Sequence, residues 1–297
     1  LKILLIYAAL TASAMCWGAG FSVIRYALRF VSSLEFLAGQ AVFAALAQSA
    51  WTFAFNRRQS HRLPPQAVAP VVALGLLGHV LLNGLTFVSL RYTTATNTAL
   101  LFGASPIVIG LLAALLLGEK FGLPKRLGAA LGFVGAALII TQGQLEDVRL
   151  GGAMLGNFLA AVAALYWSVY TVLTRRITQL VPPAVYTFYI LTLGALLPTA
   201  ATIIVNGRLP FSGASAPALA AMAAVGIGTG ALAFNFWNWG LERIEASRVG
   251  FFSFLEPVFA AAVAIIFLGE SLTAPTVSGG ALVLCGILLA TRRSRDS

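Results

Sequence analysis

The chain has 297 residues, of which 59% are hydrophobic and only 9% charged, with a mean hydropathy of +0.91 and a net charge of +10. A water-soluble domain carries about 25% charged residues, so this chain lacks the hydrated skin of one, and its outer surface is expected to face lipid. The cations sit in short segments between apolar runs, where topology signals belong, which excludes nucleic acid as the expected partner of the positive charge.

Ten apolar runs follow one another at 3–24, 34–55, 67–89, 94–117, 126–141, 152–174, 184–205, 216–240, 246–268 and 275–291. Most are near the ~20 residues that a helix needs to cross the hydrocarbon core. They are continuous and show no period-2 alternation, which favours helices over strands. The first run follows Lys2, is too long for a signal peptide, and carries Cys16 and Trp17. Cys16 and Cys285 both lie inside apolar runs and make no disulfide framework.

In the third run His79, Asn83 and Thr86 are spaced i, i+4, i+7 and share one face. A polar stripe at mid-membrane is expected to line a cavity rather than meet lipid, and a histidine there titrates near neutral pH. Helix-to-helix hydrogen bonding is the competing reading. The fourth run places Thr94, Asn97 and Ser105 on one face, with Phe102 as an aromatic neighbour, and ends at Glu119. The fifth is short, is expected to begin nearer Pro124, and holds Gly128-x-x-x-Gly132. That spacing and Gly152-x-x-x-Gly156 permit close helix approach, expected inside one chain rather than between copies.

The sixth run carries Asn157, Tyr166, Trp167, Ser168 and Thr171. In the eighth, Asn235 and Asn238 neighbour Trp237 and Trp239, both expected as interfacial anchors. Trp17 and Trp167 lie deeper and are expected as cavity walls. Glu256 is the carboxylate inside a span. A charge there costs about 2.5–3.5 kcal/mol on insertion scales. It is either a substrate-amine contact or proton-responsive gate, or a structural acid held by backbone groups freed at Pro257. Glu119 and Glu270 close the fourth and ninth runs and are expected to stabilise turns.

The chain repeats itself. Shifted by 151 residues, Ala95 meets Ala246, Pro106 meets Pro257, Leu117-Gly118-Glu119 meets Leu268-Gly269-Glu270, Pro124 meets Pro275, Gly128 meets Gly279 and Gly135 meets Gly286. Near the start the shift is 150, and Trp17 meets Trp167. Alanine and leucine matches come cheaply in membrane chains, but a Pro, Gly-Glu, Pro, Gly series at fixed spacing does not. Residues 1–145 and 146–297 therefore read as two five-helix repeats. An odd number of spans turns the second copy upside down, and inverted repeats of this kind supply the two faces of an alternating-access carrier. With the N-terminus inside, the inner segments hold 14 Lys and Arg and the outer ones 5. The positive-inside rule then puts both termini in the cytoplasm of a bacterial-type inner membrane.

The paired Pro…Gly-Glu…Pro…Gly hairpins, the Trp-Gly-Ala-Gly-Phe-Ser-Val-Ile-Arg stretch at 17–25 and Leu-Glu-Pro-Val at 255–258 resemble the drug/metabolite transporter superfamily, more narrowly its EamA-type branch of ten-helix exporters. The resemblance implies an all-α membrane basket of ten helices around a central cavity, and export of amino acids or other metabolites. Within that branch the chain is similar to the aromatic amino-acid exporters. Members often carry an Arg in the second helix where this chain has Gln40, which leaves a coupling role tied to that Arg without its residue.

Trp17, His79, Asn83, Asn97, Phe102, Ser105, Tyr166, Trp167, Asn235 and Glu256 are the candidate substrate-binding residues. No phosphate-binding Gly-rich loop ending in Lys-Ser or Lys-Thr occurs, and His61 and His79 cannot form a His-Glu-x-x-His site. No cofactor or metal is expected. No Lys or Arg lies at mid-span, which argues against phosphorylated substrates. The sequence thus points to a secondary exporter of small neutral, zwitterionic or aromatic solutes. The alternatives are a multidrug or cationic-compound exporter, a membrane enzyme acting on a lipid-borne substrate, and a channel-like partner. A monomer is expected, with a homodimer as the alternative.

Overall fold

The computed structural model describes residues 2–55, 62–89, 92–93, 95–144, 154–268 and 271–291. The regular structure in these stretches is helical, joined by short turns and loops. The helices among the described residues are α1 (Lys2–Ala27), α2 (Ser33–Phe55), α3 (Pro65–Gly78, continuing through His79–Gly84 and Leu85–Ser89), α4 (Ala95–Gly103 and Ser105–Leu117), α5 (Leu123–Thr141), α6 (Met154–Ile177), α7 (Pro183–Asn206), α8 (Ala216–Val225, Gly226–Leu232 and Ala233–Arg243), α9 (Ala246–Gly250, Phe251–Phe254 and Leu255–Leu268) and α10 (Ala274–Thr291). Among the described residues nine helices are long and apolar enough to cross a membrane. The helix outside that set, α2, is 23 residues long and holds Glu35, Gln40 and Gln48, whose polarity lowers its average. The fold is an all-α multi-pass membrane bundle.

Local chemistry sets the boundaries. Pro106, Pro124, Pro183 and Pro217 stand in first turns, where a missing N–H costs nothing. Gly118 and Gly207 stop α4 and α7 in the left-handed conformation, at φ +68° and +65°. The break in α4 and the tight 3₁₀ turn Phe251–Phe254 in α9 both lie just before a repeat-related proline. Pro106 has no N–H for the Phe102 carbonyl and Pro257 none for Ser253, so each helix gives way one turn upstream.

Two further irregularities have no residue signature. Helix α3 widens to π geometry over His79–Gly84, and α8 does so over Gly226–Leu232. Shifted by 150, the first segment falls on 229–234 and overlaps the second. The wide turn is therefore shared by the third helix of each repeat, and π turns are frequent at functional sites.

The helices group into two compact units, one comprising Leu1–Gly84 with Leu173–Arg243 and the other Leu85–Val172 with Ile244–Ser297. Each unit draws on both halves of the sequence, so spatial grouping does not follow a division near residue 145. In the first unit Ala27, Phe36, Ala221, Met222 and Val225 form a buried cluster. Small residues bring its helices close: a Cβ on Gly75 would meet Leu193 Cβ at 2.8 Å, and one on Gly20 would meet Thr229 Cγ2 at 2.6 Å.

In the second unit α5 lies along α10. A Cβ on Gly128 would come within 2.5 Å of the Gly286 carbonyl oxygen, and one on Gly135 within 2.5 Å of the Gly279 carbonyl oxygen. As the number rises along α5 the partner's number falls along α10, so the two helices run antiparallel. Gly132 faces the ring of Phe254, and Gly156 the backbone at Thr93. The small-residue spacings thus serve packing within the chain, while Gly152 lies outside the described residues.

Candidate functional site

In the first unit Trp17 is half-buried, and its indole N–H donates to the Thr229 carbonyl in the wide turn of α8 at 3.0 Å. Widening a helix loosens carbonyls from their usual i+4 donors, and this one is taken up by a side chain from α1. Trp17 also packs edge-on against Phe234 at 5.7 Å and Trp237 at 5.1 Å. Trp237 is 0% exposed, which corrects its expected role as an interfacial anchor. It sits on the inner face of α8 because residues 234 and 237, three apart, share that face with Trp17. Trp239 lies under the Arg243 guanidinium at 4.4 Å.

Asn235 is bound into a buried polar seam. Its amide donates to the Gln48 side-chain oxygen and to the Ala231 carbonyl, the latter at 2.8 Å. Gln48 in turn donates to the Ala184 carbonyl at 3.0 Å and to Thr52 Oγ1 at 3.1 Å. Asn238 donates to Thr187 Oγ1 at 2.9 Å, and Thr174 shares a 2.7 Å hydrogen bond with the Tyr186 hydroxyl. The seam ties α2, α7 and α8 together. Sequence reasoning missed Gln48 and Thr187, although an amide near the middle of an apolar run was a visible signal.

Replacing Gln48 with leucine takes one hydrogen-bond partner from the Asn235 amide, which keeps the Ala231 carbonyl, and one from the Ala184 carbonyl, which keeps Thr52 Oγ1. The expected loss is about 1–3 kcal/mol, read as a lower unfolding midpoint of the purified protein. An unchanged midpoint would show that the seam carries no stability. Elsewhere in this unit, Asn83 is half-buried within the wide turn of α3, and the backbone of His79 opens that turn.

In the second unit Trp167 is buried and stacks on Tyr170 at 5.5 Å, with planes 15° apart, and Tyr166 lies 6.4 Å from the same ring. Ser168 donates to the Ala164 carbonyl at 2.9 Å and lies 3.5 Å from the Ser105 carbonyl. Ser105 is buried and its hydroxyl has no hydrogen-bond partner among the described residues. This arrangement brings Ser105 beside the turn of α6 that holds Trp167. Phe102 is half-buried one turn before the break in α4. Glu256 is half-buried in the first turn after the 3₁₀ segment of α9. Asn157 accepts a hydrogen bond from Thr93 at 2.6 Å and ties α6 to the segment before α4. Asn97 lies in α4, with its side chain outside the described residues, as is that of His79; Thr94 and Glu270 are outside them altogether.

A charged cluster closes one end of this unit. Lys125 Nζ lies 2.8 Å from Glu245 Oε2 and 2.7 Å from Ser247 Oγ, and Arg248 pairs with Glu245 at 2.7 Å. Glu119 accepts from the backbone N–H of Ala246 at 2.7 Å and of Ser247 at 3.0 Å. The Ser247 hydroxyl donates to the same carboxylate at 2.5 Å. The expected turn-stabilising role of Glu119 therefore takes a specific form: it caps the first turn of α9, whose own N-cap residue, Glu245, makes no capping hydrogen bond with its side chain.

Comparisons with known proteins fit this architecture. The EamA-like transporter family matches residues 4–141 and again 154–292. The chain is 28% identical over 291 residues to the uncharacterized transporter YyaM of Bacillus subtilis, covering 98% of this chain and 95% of the relative. It is 26% identical over 266 residues to an S-adenosylmethionine/S-adenosylhomocysteine transporter of Chlamydia muridarum, covering 87% and 83%. A solved crystal structure, 22% identical, shares the fold with a TM-score of 0.79 over 95% of this chain and 96% of its own. This chain belongs to the EamA-like transporter family and is a transporter of small organic solutes across a membrane.

Proposed function

We propose that the chain exports small neutral or aromatic amino acids, or metabolites built on them, by alternating access between two inverted five-helix halves at 1–145 and 146–297 of a bacterial-type inner membrane. The observation that carries the inverted arrangement is the glycine pairing of α5 and α10. Gly128 and Gly135 of the first copy correspond to Gly279 and Gly286 of the second. The contacts pair Gly128 with Gly286 and Gly135 with Gly279. One residue meets the equivalent of the other, and the reverse, which is the mark of a twofold relation. Equivalent helices that run antiparallel put that axis in the membrane plane, as inverted-topology repeats require.

The substrate class rests on chemistry. Trp17, Phe102, Tyr166 and Trp167 offer aromatic faces, Asn83, Asn97 and Asn235 offer amides, and Glu256 and His79 offer groups that meet an amine or carry a proton. The absence of a mid-span Lys or Arg disfavours phosphorylated solutes. A second reading follows from the relatives named for S-adenosylmethionine transport. That solute joins an amino acid to an aromatic base and carries a positive sulfonium, so the same aromatic and carboxylate groups suit it.

Proteoliposomes loaded with radiolabelled solutes separate the readings. Saturable flux of aromatic or neutral amino acids above empty vesicles is the expected result, measured with and without a pH gradient. Flux of S-adenosylmethionine alone would transfer the assignment to the second reading. If neither solute moves faster than in empty vesicles, the proposed substrate class is wrong.

A further inference from the structure

We infer that the outer face of the first unit carries a binding site for an anionic phospholipid, held between the start of α1 and the end of α8. A recess of about 480 Å³ opens there, lined by Lys2, Leu5, Ile6, Trp239 and Arg243. Its floor is apolar and its rim carries two cations from different helices. Leu5 is 55% exposed, so the recess opens on the side of the bundle that meets lipid tails.

The charge around it is one-sided. Arg175 and Gln179 donate to the Glu242 carbonyl, each at 3.0 Å, which places the end of α6 beside the end of α8. Among the described residues of the unit, this end holds Lys2, Arg175, Arg176 and Arg243 against the acid Glu242. Glu242 is already engaged by Arg243, which also donates to the Trp239 carbonyl at 3.1 Å and lies over the Trp239 ring. Lys2 is exposed and has no ion pair among the described residues. A tryptophan at this level matches the headgroup region, and basic pockets between helices at the membrane surface take anionic headgroups.

A lipid fits these features better than a free phosphate does. The anionic headgroup meets Lys2 and Arg243, and an acyl chain covers the apolar floor formed by Leu5 and Ile6. Inorganic phosphate would leave that floor bare.

Native mass spectrometry of protein taken from vesicles of phosphatidylcholine, with or without phosphatidylglycerol, tests the assignment. The expected result is one retained phosphatidylglycerol per chain, not displaced by millimolar inorganic phosphate. Lys2→Gln and Arg243→Gln are each expected to reduce retention roughly fivefold. Arg126→Gln, at an exposed cation of the second unit, is expected to leave it unchanged. Because Arg243 also holds Glu242, the Lys2 variant carries the test if the Arg243 variant folds poorly. Equal retention of phosphatidylcholine, displacement by phosphate, or an equal loss in the Arg126 variant would each overturn the proposal. The outcome is independent of which solute is transported.

Discussion

Alanine at Gly279 is expected to destabilise the protein, whereas alanine at its neighbour Gly280 is expected to leave stability unchanged or raise it. Both glycines lie inside α10. Helix propensity alone would make either change favourable by about 1 kcal/mol. At Gly280 nothing lies within 4 Å of the added Cβ, so that gain stands. At Gly279 the same atom would come within 2.6 Å of the Gly135 carbonyl oxygen and 2.8 Å of Ile139 Cγ1. The oxygen belongs to the backbone of α5 and cannot step aside, so α5 and α10 must separate. Overpacking costs about 1–3 kcal/mol and occasionally more, so the unfolding midpoint should fall by about 5–10 °C in a protein of this class. A thermal melt of the two variants beside the parent decides the matter. Equal midpoints would mean that the close approach of α5 and α10 is not a source of stability.

Glu119→Ala is the second substitution with a large expected effect. The carboxylate accepts three hydrogen bonds from the first turn of α9, and both Ala246 and Ser247 are buried. Without it two backbone N–H groups lose their acceptor where water reaches poorly. A hydrogen bond to a charged group contributes about 1.5–3 kcal/mol and an unsatisfied buried donor costs a similar amount. A total loss of about 3 kcal/mol or more is therefore expected. Glu119→Gln keeps one acceptor oxygen and should fall between. Lys120→Ala, at an exposed neighbour, should melt with the parent. If Glu119→Ala melts with Lys120→Ala, the carboxylate is not what fixes the start of α9.

The spans were legible because lipid demands long, uninterrupted apolar runs. Pro106, Pro124, Pro183 and Pro217, together with Gly118 and Gly207, mark helix ends for reasons that do not depend on partners, whereas Pro70 and Pro198 lie inside helices. Pro106 and Pro257, which correspond at a shift of 151 residues, each stand just after an irregular stretch of helix, a local effect that proline chemistry makes readable. The grouping of α1–α3 with α7 and α8 was not legible, since nothing in a span's composition says which other span it touches. The wide turns in α3 and α8 also left no trace: His-Val-Leu-Leu-Asn-Gly and Gly-Ile-Gly-Thr-Gly-Ala-Leu share no breaker at a common position. Among the candidate residues, polarity identified Asn235 but not its partner. Its amide is committed to Gln48 and the α8 backbone, a pairing that depends on how α2 meets α8. Trp237 was misplaced for a similar reason. Nearness to a span end suggests an anchor, but rotation about the helix axis decides whether the ring faces lipid or Trp17.

Cysteine accessibility at two repeat-equivalent positions tests the inverted halves most directly. Lys120 follows α4 and Ser271 follows α9, and the two are 151 residues apart, the spacing of the duplication. Each would be replaced by cysteine in a background lacking Cys16 and Cys285, then treated on intact and inside-out vesicles with a maleimide that cannot cross the bilayer. Antiparallel copies require position 120 to label from one face and position 271 from the other. Labelling of both from the same face would contradict the account.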